Sequence, residues 1–195
     1  MSQWDNPLPT SNFLFDIARG GVVGASAVNI FGFNTVVGTT YETLWNNGGN
    51  YVFPTESKAM TIVSSSTDTM QVLINGLDAD YRELVQIVTL TGTTPVAIPK
   101  SIFRINSAVI LSGSNVGNIT IASGGVTYGY IEAGLGVTQS CVYTVPEGHK
   151  LYLFRIDLNS ATANPNKYIT IHNVVCAANG RKVKVAQATF ATSQV

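Results

Sequence analysis

The chain has 195 residues, of which 11 % are charged; its formal net charge is zero and it contains two cysteines. That is enough length for a full core, but without the charged coat of a lone soluble domain, which carries roughly a quarter charged residues. The composition excludes a basic nucleic-acid stripe and a disulfide framework, and no apolar run reaches transmembrane length. Thr, Ser, Val, Asn and Gly replace the missing charge. The first expectation is therefore a β protein whose exterior is covered by neighbouring subunits.

Residues 1–38 differ from the rest. Pro7 and Pro9 favour extended backbone. Phe13, Leu14 and Phe15 make a short apolar cluster. A glycine-rich run follows that carries Phe31 and Phe33 and shows neither helical nor two-residue periodicity. A solvated tail is more polar and less aromatic than this. The stretch reads as an extended arm over 1–38, whose aromatic residues dock on the body or on a neighbouring subunit. The body is expected over 39–195.

From residue 40 the pattern is strand, turn, strand. TYETLW (40–45) alternates aromatic and polar positions, and NNGGN (46–50) supplies residues that tolerate positive φ before YVF and Pro54. Strands are predicted over 59–65, 71–76 and 83–92. The last of these is apolar on both faces, which predicts cover on both sides. Further strands are predicted over 94–98, 101–113, 118–123, 126–131, 139–145, 150–160, 168–177 and 182–192, separated by turn signals such as SGSN, SGG, PEGH and TANPN. No convincing helix interrupts them. The expected fold is all-β, an antiparallel sandwich of jelly-roll type fronted by the arm.

Residues able to carry chemistry are sparse. Asp78, Asp80 and Glu83 lie close together but match no calcium loop, and read as a turn capped by Asp. His149 sits in a turn and His172 in a strand, with no nucleophile or metal spacing beside either. Cys141 and Cys176 lie in apolar β runs and read as free thiols in a reducing cytoplasm. Gly124 and Gly125 precede no helix, so they form no phosphate cradle. Arg181, Lys182 and Lys184 are the one tight basic group, too small for sequence-specific nucleic-acid binding. No catalytic, cofactor or metal site is expected. Tyr41, Trp45, Tyr51 and Phe53 crowd one turn and read as an aromatic plug where the arm meets the sandwich. The alternative is a carbohydrate- or receptor-binding platform made by Tyr41, Trp45, Tyr51 and Tyr128.

The block VNIFGFNTVVGTTYETLWNNGGNYVFP (28–54) resembles a recurring N-terminal pattern in virion structural proteins of tailed bacteriophages, especially marine ones. The blocks at 72–96, 103–111, 115–121 and 143–153 are similar to that family as well, so the resemblance runs from about residue 28 to 155. It implies a non-enzymatic particle component in many copies, assembled in the host cytoplasm and located in the virion. With the arm and the charge-poor body, it leads to a capsid-associated cement or decoration subunit. Its partners are the major capsid protein or other virion subunits and further copies of itself, as a trimer or higher, with no membrane. The interaction residues are expected to be Phe13, Phe15, Phe31, Phe33, Tyr41, Trp45, Tyr51 and Phe53. A tail, collar or fibre-attachment component is the alternative.

Overall fold

A computed structural model describes residues 13–35, 38–157, 168–176 and 182–191. Contacts divide the chain into two units, 1–150 and 151–195, so the body expected over 39–195 is parted at Lys150.

In the first unit, β-branched residues at alternating positions make strands whose inward side chains form a shared core. The strands are β1 (Thr61–Ser64), β2 (Gln71–Leu77), β3 (Glu83–Thr89), β4 (Val96–Ala97), β5 (Arg104–Ile110), β6 (Ile119–Ser123) and β7 (Val126–Ile131). They form two antiparallel sheets, ordered β4-β1-β6-β7 and β3-β2-β5. The inward residues of both sheets meet in one cluster: Ile62, Ile119, Ile121 and Ile131 from one, and Val72, Ile74, Val88 and Ile105 from the other. Each buried Ile stabilises the fold by about 1.5–3 kcal/mol relative to an exposed one. The fold is all-β, with two antiparallel sheets around one core.

Gly76 marks a bulge between β2 and β5, and a Cβ there would collide with the Arg104 carbonyl oxygen. Asp78 caps the following turn, accepting hydrogen bonds from the N–H groups of Asp80 and Arg82, each at 2.9 Å. The acidic cluster of the sequence is thus a turn, as its spacing predicts.

Several expectations are corrected. Residues Phe13–Ala18 form a six-residue helix, α1, where extended backbone is predicted. Residues 40–45, 51–53 and 139–145 form no ladder strands. Their backbone pairing includes a bridge between Trp45 and Ser140, made by bonds from Cys141 N–H to the Leu44 carbonyl and from Asn46 N–H to the Gln139 carbonyl, and a bond from Thr43 N–H to the Gly49 carbonyl. The reason is that side chains take over the backbone's partners. Thr43 Oγ1 accepts from Tyr51 N–H at 2.9 Å, and Trp45 Nε1 donates to the Gly49 carbonyl at 3.1 Å. The Asn106 amide both donates to the Thr144 carbonyl and accepts from Thr144 N–H, each at 2.9 Å, in place of a strand alongside β5.

The second unit contains β8 (Tyr168–Cys176) and β9 (Lys182–Ala191), an antiparallel pair. Residues 151–157 precede it without regular structure, although a strand is predicted from 150. Pro7, Pro9, Arg181, the TANPN and NG turns, and the ends of the predicted strands at 158–160, 177 and 192 lie outside the described residues. Among the described residues, no helix is long and apolar enough to cross a membrane.

Candidate functional site

The aromatic residues expected to act together are separated by the fold. Trp45 and Tyr51 are buried, at 4 % and 7 % exposure, with Val142. Their rings meet edge to face at 5.2 Å, and Tyr51 meets the partly buried Phe53 likewise at 5.0 Å. The Tyr51 hydroxyl donates to the Tyr128 carbonyl at 3.3 Å. Burial pushes the phenol up to about 12, against the lowering influence of the Arg104 guanidinium and with a smaller raising one from Tyr128. Arg104 continues the row. Its guanidinium lies 5.5 Å from the Phe53 ring, 5.7 Å from Tyr81 and 3.8 Å from Phe103, and donates to the Pro54 carbonyl at 2.7 Å.

This row is a packing element. Between Trp45, Tyr51, Tyr128 and Val142 the remaining cavity is about 10 Å³, room for one water and not for a sugar. Of the four residues of the alternative platform, Trp45, Tyr51 and Tyr128 are buried and Tyr41 is exposed. They present no shared face to a carbohydrate.

The arm residues behave differently. Phe13, Phe15, Phe31 and Phe33 are all exposed, as are Leu14, Val23, Val28 and Ile30. Between Phe31 and Phe33 the backbone is fastened to the body. A Cβ on Gly32 would lie 2.5 Å from Cys141 Sγ, 2.6 Å from Cys141 N and 2.6 Å from the Leu44 carbonyl oxygen. Two of these three are backbone atoms that cannot rotate away. Cys141 is free and its residue surface is exposed, but its thiol lies under Gly32. Desolvation pushes the thiol up, partly offset by a hydrogen bond from Gly32 N–H.

The structure exposes two further apolar surfaces. The face of β3 expected to be covered is open: Val85 is 62 % exposed and Ile87 53 %. The register sets Ile87 beside Leu73 and Leu73 beside Val109, and Val109 bridges to Val137. This is one apolar row across the outside of the three-stranded sheet. In the second unit, Leu151, Tyr152, Leu153, Phe154 and Ile156 are exposed, with Val174 and Val175 of β8. The signal for the first surface was present as two-sided hydrophobicity. Period two shows that both faces want cover, but not whether the same chain supplies it.

The remaining residues offer little chemistry. His149 Nδ1 lies 2.9 Å from the Glu147 carbonyl oxygen in an exposed turn, and His172 lies in β8 opposite Gln187. Among the described residues, no group of three or more His, Cys, Asp or Glu side chains is placed to hold a metal. What the surface can do is adhere: it presents apolar patches with few charges to oppose contact. No family model, curated protein or solved structure matches the chain.

Proposed function

We propose that this chain is a non-enzymatic structural protein of a tailed-phage virion, a cement or decoration subunit on the head lattice. It has a jelly-roll-like body and acts in many copies, as a trimer or higher, against the major capsid protein or other virion subunits. One observation carries the reading: a charge-poor chain exposes large apolar side chains along its arm, across the outside of a sheet and over 151–156. Monomeric proteins rarely leave such surface to water. The resemblance of residues 28–155 to virion proteins supplies the setting. Contacts of modest strength at each arm, repeated over a symmetric lattice, become firm attachment through effective concentration.

Immunogold labelling of purified particles with an antibody to this chain tests the proposal. Label over the whole head is the expected result. Label at one pole moves the subunit to tail, collar or fibre attachment. Chain found only in the particle-free supernatant overturns the virion reading altogether.

A further inference from the structure

The open edge of β3 is a pairing site, and we infer that its occupant is the β3 of a second copy, added antiparallel about a two-fold axis through Gln86. The inference deepens the proposed function by naming one self-contact, and rests on it only for the expectation of many copies.

The direction of the backbone groups follows from the bonds that flank the β2–β3 ladder. Leu90 N–H donates to the Met70 carbonyl at one end, and Asp78 N–H to the Arg82 carbonyl at the other. Hydrogen-bonded pairs alternate with non-bonded ones in an antiparallel ladder. The even-numbered residues of β3 therefore turn their N–H and C=O groups toward β2. On β2, the odd-numbered residues face β5, as the bonds from Leu111 N–H to the Gln71 carbonyl and from Phe103 N–H to the Leu77 carbonyl require. On β3, the odd-numbered residues Glu83, Val85, Ile87 and Thr89 have no strand to face among the described residues, because β3 is last in its sheet. Their N–H and C=O groups point out of the edge. The same residues carry the exposed apolar side chains, Val85 and Ile87.

The usual protections of an edge are missing from β3. It has no proline, no lysine and no inward charge, and its single charged residue is Glu83 at one end. The inward side chain at its centre, Gln86, is committed to its own chain. It accepts from Lys100 N–H at 2.8 Å and donates to the Lys100 carbonyl at 3.1 Å.

The sequence of β3 is complementary to itself in one register. With Gln86 opposite Gln86 of the copy, Val85 lies opposite Ile87 and Glu83 opposite Thr89, each twice by symmetry. All four are odd-numbered residues, so every one of these pairs exchanges both backbone bonds. The apolar side chains meet each other directly, and no glutamate faces a glutamate. The row Val109–Leu73–Ile87 then runs on into Val85 of the copy, joining two three-stranded sheets into one of six. A register shifted by one residue sets outward groups against inward ones and loses the bonds. The contact is isologous, so it closes as a pair and does not grow into a fibre.

The full chain tests this without particles, so its outcome is independent of the labelling experiment. Val85 and Ile87 are exposed in the single chain, so both can be replaced without opening the core. V85K/I87K places lysine opposite lysine in the pair, and V85E/I87E places glutamate opposite glutamate. Sedimentation velocity over a concentration series is expected to show reversible self-association of the parent chain. Each double variant should be weaker by about tenfold or more, with recovery when the two are mixed in equal amounts. Thermal melting of each variant checks that it is folded. A parent chain that stays monomeric throughout, variants that associate as the parent does, or a mixture no tighter than its components would each overturn the inference.

Discussion

At the scale of single residues, Asp68 is buried at 4 % exposure in the loop between β1 and β2. Its carboxylate accepts from Ser64 Oγ at 2.6 Å, Val116 N–H at 2.8 Å and Gly117 N–H at 2.9 Å, so it ties the end of β1 to the loop before β6. Desolvation is the largest single influence and raises its pKa, but the three hydrogen bonds together outweigh it and hold the carboxyl below its ordinary value. A folded pKa below the unfolded one gives stability that is fully present above the ordinary Asp range, near pH 4. That stability is lost as pH falls through the folded value. Asp68's share of stability is therefore expected to be level from neutral pH to about pH 5 and to fall below it. Asp68→Asn exchanges one acceptor oxygen for a donor facing donors. It should cost about 1–3 kcal/mol at neutral pH and flatten the acid limb. Thermal denaturation between pH 3 and 7 reads both effects, and an acid limb of unchanged steepness would remove Asp68 as its source.

At the scale of elements, local pattern and tertiary contact carry different weight. β7 was legible at its full length because VTYGYI follows the turn at Gly124 and Gly125 and is rich in β-branched and aromatic residues. β2 and β6 were legible to within a residue for the same reason. The segments 40–45 and 139–145 were not, because alternation there is real but several of the pairing bonds are made by Thr43, Trp45 and Asn106 side chains, which periodicity does not register. Trp45 and Tyr51 were legible as a plug, whereas Tyr41, in the same run, stays in solvent. α1 was missed because six residues among glycines and aromatics carry no helical period. Its local supports include the Asp16–Arg19 ion pair at 2.8 Å and the Arg19 guanidinium over the Phe15 ring at 5.6 Å. A helix this short is marginal in water by itself. Amide hydrogen exchange is expected to be complete at Phe13–Ala18 within the first seconds, while β2 and β6, each paired on both sides, stay protected for hours or longer. Protection of α1 equal to that of β2 would mean that tertiary packing holds it.

At the scale of the molecule, the two units differ in what can support them. The core cluster is drawn from residues 60–131, and the aromatic cluster from 45, 51 and 142, all inside the first unit. The second unit is described as one two-stranded pair, and a lone hairpin is at best marginally stable in water. A chain ended at Lys150 is therefore expected to unfold in one cooperative transition within a few degrees of the full chain, as circular dichroism on heating would show. A loss of that transition would mean that the core is completed by residues 151–195. If the shortened chain folds but no longer decorates particles, residues 151–195 carry part of the proposed attachment surface.

The seat of Gly32 separates two tasks along the arm. Fastening depends on the absence of a side chain at that position, whereas the two phenylalanines beside it are exposed. Rewriting positions 31 and 33 would thus change what this stretch presents outward while the anchorage between them stays as it is.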